Sequence, residues 1–231
     1  MPVSKDYLPI AGASGAQDTG ATTYSVSQSI RFDQNNTGHM QRTPSGASDR
    51  RTFTFSAWLK HSQLSTNGYH NIFCARADAS NYFELAKEVA PAGNNRYDVI
   101  DKTSGSTSYR LQTNAHFNDV AAWYHLVCVS DTTNALSTNR VRLYVNGIRM
   151  DSFNTQTYPS ADYQSSAVNT TVEHEIGAFN GGSGYGMDGY MAEIHFIDGL
   201  ALGPEHFGEF NAHDFWIPIE YSGTYGTNGF K

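Results

Sequence analysis

The chain has 231 residues, of which 39 % are apolar, 13 % aromatic and only 16 % charged. That balance excludes a disordered protein and suits one folded domain, since all-β sandwiches often reach this length undivided. The formal charge is −7 and the pI about 5.6, and no dense basic run occurs, so no nucleic acid is expected as a partner.

The amino terminus, "MPVSKDYLPIAGASGAQDTGATTYSVSQS", has no continuous apolar core of the kind a signal peptide carries. No run approaches the length of a membrane span, so no membrane insertion is expected. Residues 1–27 read as an extended N-terminal arm. Its Ala-, Gly-, Ser- and Thr-rich part, 11–23, buries too little to fold alone, and Tyr7, Leu8 and Ile10 precede it as a small apolar anchor. Two readings stand, a loose tail or an arm that orders against a neighbouring subunit.

Strand signals follow. "SIRFD" places Ile30 and Phe32 on one face, and "RTFTFSAWLK" sets Phe53, Phe55, Ala57 and Leu59 against Thr52, Thr54, Ser56 and Trp58. "NIFCAR", "NYFELAK" and "RYDVID" continue the series. "AWYHLVCVSD" then sets Trp123, His125, Val127 and Val129 against Tyr124, Leu126 and Cys128. "RVRLYVNGIRM" carries the clearest local signal, because Asn146-Gly147 supplies the two positive-φ residues of a type I′ hairpin turn. "EHEIGAF" and "YMAEIHFID" close the set, and only "GPEHFGEF", with Pro204 at its start, suggests a turn or two of helix. Many short strands and almost no helix predict an all-β antiparallel sandwich with both inner faces apolar. Cys74 and Cys128 lie in separate strand-like runs without metal-ligand spacing and are read as reduced thiols.

The succession "SIRFD", "FTFSAWLK", "AWYHLVCVSD", "VRLYVNGIRM", "IGAFNGG…MDGYMAEIHFIDGLAL" resembles the laminin-G-like, concanavalin A-like jelly rolls, above all the pentraxin-related type found in phage and bacterial surface proteins. The resemblance covers about residues 28–202. The remainder, 203–231, resembles a segment that follows such domains in phage virion proteins and is read as a C-terminal docking segment. The resemblance implies a non-enzymatic virion component, in a tail, fibre or capsid appendage. Its implied partners are other virion proteins, further copies of itself (a homotrimer by analogy) and a host surface glycan.

The same jelly roll houses glucanases whose acid–nucleophile strand reads Glu-x-Asp-x-(x)-Glu, with a bulge that aims the last carboxylate inward. Here Glu193, His195 and Asp198 stand at the corresponding spacing. The middle position is His rather than Asp, and Asp198 precedes Gly199 and reads as a turn residue, so no catalytic residue is assigned. Glu173 and Glu175 fall on one strand face, where two free carboxylates at the surface are the simpler explanation.

The glycine-rich stretch "FNGGSGYGMDG" lets backbone approach a ligand closely. Asn180, Tyr185 and Asp188 would supply the amide, ring face and carboxylate that recognise a sugar, and they are the candidate binding residues. The plainer alternative is a surface connection closing the sandwich. No cofactor is called for. The resemblance does raise Ca²⁺, common in the wider family, with Asp188, or Asp131 with Asn134, as candidate oxygen ligands. Two rival functions remain, a purely structural decoration protein and a polysaccharide-degrading hydrolase.

Overall fold

A computed structural model describes residues 24–34, 38–64, 68–89, 94–181 and 185–231. The apolar anchor Tyr7, Leu8 and Ile10 lies outside the described residues, as do 182–184 of the glycine-rich stretch.

In chain order, β1 (Ile30–Phe32) and β2 (Met40–Arg42) are short edge strands. They are followed by β3 (Thr52–His61), β4 (Tyr69–Asp78), β5 (Asn81–Glu88), β6 (Arg96–Thr103), β7 (Ser106–Thr113), β8 (Tyr124–Asp131) and β9 (Val141–Val145). Then come β10 (Ile148–Arg149), β11 (Phe153–Thr157), β12 (Glu173–Ile176), β13 (Gly189–Asp198), β14 (Gly208–Phe210) and β15 (Trp216–Pro218). They form a six-stranded sheet ordered β1-β13-β3-β8-β9-β10, a seven-stranded sheet ordered β11-β7-β6-β5-β4-β12-β2, and a β14–β15 hairpin. The named pairings are antiparallel. The expected all-β antiparallel sandwich is the observed one.

The alternation in the sequence builds the core. Phe53, Phe55, Ala57 and Leu59 of β3 meet Phe73, Phe83, Leu85 and Val99 of the other sheet in one buried cluster. Phe55 stacks on Phe73 with ring centroids 5.0 Å apart, and Phe53 meets Phe83 edge-on at 5.5 Å. The Asn146-Gly147 turn forms as the sequence predicts, with φ of 50° and 77°. Glycine is required there twice over, because a Cβ on Gly147 would also run into the Trp216 ring. The helix suggested by "GPEHFGEF" shrinks to a single 3₁₀ turn, Pro204–His206, before the chain extends into β14.

The six-stranded sheet is buried on both faces. Its outward side chains Trp58, Val127, Val129 and Ile197 are covered by Phe207, Trp216 and Tyr221. Residues 203–231, read as a segment docking to partners, therefore pack on the chain's own sandwich. The tail also finishes a split edge. β1 pairs with Gly189–Met191 of β13, and further along that strand Phe196 exchanges backbone hydrogen bonds with Phe230, 2.9 Å each way. Gly229 allows this approach, since a Cβ there would overlap the carbonyl oxygen of Tyr225.

Candidate functional site

The strand that suggested catalysis is committed to structure. One extra residue between Ala192 and His195 makes a bulge, and Glu193 takes the left-handed conformation with φ of 47°. Its carboxylate lies 3.1 Å from Lys231 Nζ and 3.3 Å from His195 Nε2. Burial raises its pKa, but hydrogen bonds from Tyr24 and Lys231 outweigh that and hold it below the usual range. Asp198 has different partners. It accepts from Asn169 Nδ2 at 2.8 Å and from the Asn228 backbone at 2.9 Å, tying a loop and the tail to β13. It is a buried strand carboxylate, whereas the sequence suggested a turn residue. A cleft of about 710 Å³ opens between the β1–β13 and β2–β12 edges, walled by Ile30, Met40, Ile176 and Met191. Glu193 is the one acidic side chain among the described lining residues.

His125 makes a second arrangement, a buried histidine hydrogen-bonded to a serine. Trp216 Nε1–H donates to its Nδ1 at 3.0 Å, so the neutral ring carries its proton on Nε2 and donates that proton to Ser56 Oγ at 2.8 Å. A base that activates serine needs the opposite tautomer. Burial, with His195 nearby, lowers the His125 pKa to about 3, so the ring stays neutral. The pair anchors the tail.

The outer face of the seven-stranded sheet is different, because no segment of the described chain covers it as the tail covers the other. Backbone register sets rows of side chains across it. Arg76 on β4, Tyr82 on β5 and Lys102 on β6 stand side by side, and Cys74, Glu84, Ile100 and Arg110 form the next row. Ala86, Asp98 and Gln112 form a third. Arg110 makes an ion pair with Asp98 and also donates to Tyr69 Oη at 3.3 Å. Gln112 donates to Glu88 at 2.8 Å and accepts from Asn154 at 2.6 Å. Burial, with Asp98 close by, raises the Glu84 pKa to about 7.

The glycine-rich stretch walls this face. Gly177, with φ of 79°, turns the chain off β12, and Phe179 then meets Tyr82 edge-on at 5.4 Å. Asn180 accepts from Arg76 Nη1 at 2.6 Å. Tyr185, 45 % exposed, stands edge-on to Phe179 at 6.4 Å. Its carbonyl receives Asn71 Nδ2 at 3.0 Å. Asn180 and Tyr185 thus border one surface. Asp188 does not join them. It is buried, and its neighbours in charge are Asp33 and Arg31 near β1; burial, then Asp33, raises its pKa. Glu175 is not a free surface carboxylate either: it is 2 % exposed and accepts from the Gly181 backbone at 2.6 Å.

The residues suggested for calcium do not assemble an oxygen cage. Asp131 accepts from Thr133 Oγ1 at 2.6 Å and Asn134 caps the Leu136 backbone at 3.1 Å, both within one turn. Among the described residues no three His, Cys, Asp or Glu side chains converge as a metal site. Cys74 and Cys128 are buried free thiols, and among the described residues no helix is long and apolar enough to cross a membrane.

A profile of the concanavalin A-like lectin/glucanases superfamily matches residues 18–206, and the chain belongs to that superfamily. No curated protein matches it in sequence. Among solved structures it is similar to the heptameric SAP-like pentraxin of Limulus polyphemus, with TM-score 0.50, 18 % identity and 75 % of this chain covering 76 % of that one. It is also similar to tailspike protein 2 of an Escherichia coli O157:H7 bacteriophage, with TM-score 0.55 and 14 % identity, 77 % of this chain covering 23 % of that one. Domains LG4-5 of the mouse laminin alpha1 chain match with TM-score 0.51 and 10 % identity, 87 % of this chain covering 48 % of that one. At these identities the likeness shows a shared fold.

Sequence reasoning missed Glu84, Asp98, Arg110 and Gln112. A signal was present, because Phe83 and Leu85 alternate with Tyr82, Glu84 and Ala86, which marks the latter as outward. Nothing local says that three neighbouring strands bring their outward polar residues together.

Proposed function

We propose that this chain is a non-enzymatic carbohydrate-binding module that fixes a larger assembly to a glycan-bearing surface. The assembly is a bacteriophage virion, with the module on a tail, fibre or capsid appendage in several copies, a homotrimer among them. Superfamily membership supports carbohydrate binding. The observation that carries the reading is the contrast between the two faces, one sealed by the chain's own tail and the other open, polar and bordered by Phe179, Asn180 and Tyr185. Likeness in fold to the phage tailspike is compatible with the virion setting, and several copies turn weak single sites into useful avidity.

The test is binding of the intact chain to a glycan array, with Tyr185→Ala as the probe variant. Loss of one exposed aromatic contact should weaken binding roughly tenfold. An array blank at high protein valency would favour a purely structural decoration protein.

One observation favours a second reading, hydrolysis. Glu84, which holds its proton up to about pH 7, and Asp98 are diagonal neighbours on β5 and β6, about 7–8 Å apart by strand geometry. Release of reducing ends by the wild type and its loss in Glu84→Gln would establish that reading and retire the first.

A further inference from the structure

Charges of both signs are half-exposed on the open face, and two of its cations stand beside aromatic rings. We infer that the ligand of this face is an acidic saccharide, one whose carboxylates are met by Arg76 and Lys102. This rests on the carbohydrate-binding reading above and narrows it to a ligand class.

Most carboxylates on and around this face have partners. Glu84, which also feels the Lys102 charge, is hydrogen-bonded to Asn71. Glu173, in register with Arg76, is hydrogen-bonded to Glu175. Asp98 is 3 % exposed and holds Arg110 and Gln112. Glu175 is covered by Gly181. Asp78, at the β4–β5 turn, accepts from Ser80 and Asn81. The nearby cations have fewer partners. Lys102 Nζ makes no hydrogen bond or ion pair among the described residues and stands 5.5 Å from the centre of the Tyr82 ring. Arg76 stands 5.5 Å from the centre of the Phe179 ring, with Asn180 on Nη1 alone. The two rings meet edge-on at 5.4 Å, so the cations flank one aromatic step. Two strand spacings separate β4 from β6, about 10 Å. A cation beside a ring and a β-sheet surface is partly stripped of water yet not neutralised. A neutral sugar leaves it so, whereas a carboxylate completes it with a charge-assisted hydrogen bond. The net charge of −7 repels such a ligand elsewhere, which gives this step its selectivity.

The experiment is calorimetric titration of the intact chain with tetragalacturonate and with a neutral tetrasaccharide of glucose. Both are also titrated into Arg76→Gln/Lys102→Gln and into the charge-keeping Lys102→Arg. The acidic oligomer should bind the wild type more tightly, and its affinity should fall at least tenfold as NaCl rises from about 50 to about 300 mM. The double variant should lose that preference and Lys102→Arg should keep it. Neutral and acidic oligomers binding alike, or an acidic preference untouched by salt, would overturn the acidic class and leave the carbohydrate-binding reading standing. No binding of either oligomer, together with a blank glycan array, would overturn both. The salt series on the wild type needs no variant to fold.

Discussion

The outer faces of the two sheets differ in their side chains and in what covers them. On the six-stranded sheet, the residues alternating with the core are Thr54, Ser56, Trp58, His125 and Val127. All are nearly inaccessible, because residues 203–231 lay Phe207, Trp216 and Tyr221 over them. On the seven-stranded sheet the alternating residues are Arg76, Tyr82, Glu84, Asp98, Lys102 and Arg110, and among the described residues Phe179, Asn180 and Tyr185 border them. The face covered by Phe207, Trp216 and Tyr221 is finished by folding more chain onto it, whereas the charged one keeps half-exposed side chains.

Breaking the covered side should produce the largest effect. Trp216→Ala removes a buried ring and leaves His125 Nδ1 without its donor, and should cost about 3–5 kcal/mol in a denaturant titration. Glycan binding per folded molecule should not change. On the open side, Arg110→Met leaves the 3 % exposed Asp98 without its ion partner. Its cost should sit near the low end of the roughly 3–5 kcal/mol seen when a buried pair is broken, since the guanidinium itself is 29 % exposed. A smaller gain should come from Lys87→Met. Lys87 is 0 % exposed with no partner for Nζ, and burial lowers its pKa to about 7. The unfolded chain protonates it more readily, so the variant's advantage should grow as pH falls from about 10.5 to 7 and stay constant below.

Acidity offers a further way to sharpen the contrast. Burial lowers the pKa of His61 and His174, and brings His70 to about 4, His125 to about 3 and His195 to about 4. These rings are neutral in the fold and protonate near 6.5 when it opens. Stability should therefore be whole above that pH and fall as pH drops from 6.5 through 4. Glu84 and Asp101, raised by burial to about 7 and about 6, act in the opposite sense. Glu175 and Asp188, also raised by burial, join them. Five rings against four carboxyls should leave a smaller net loss, read as a falling thermal midpoint. The smallest effect on stability belongs to Tyr185→Ala. Its ring is nearly half exposed, so the change should stay within about 0.5 kcal/mol while binding weakens.

The sandwich itself was legible because a strand's period of two leaves a mark in every segment. Phe53, Phe55 and Leu59 could only face inward together, and Asn146-Gly147 could only turn. The site was less legible. Asn180 and Tyr185 stood out through the glycines around them and do border the open face, yet Asp188, only three residues beyond Tyr185, is buried toward β1. Glu193 and Asp198 stand at a suggestive spacing, but Tyr24, Lys231, Asn169 and Asn228, remote in the chain, engage them.

By itself, then, the sequence determined which side of each strand is apolar, where the chain turns and that two sheets must close on each other. Tertiary structure alone decided which outward face would be sealed, since "AWYHLVCVSD" is apolar on both sides and only the arrival of Trp216 and Phe207 distinguishes core from cover. It also decided that Arg76, Tyr82 and Lys102 would stand in one row. Side-chain direction is a local property of the backbone, but neighbourhood across strands is set by register, and register is fixed by the packing of the whole sheet.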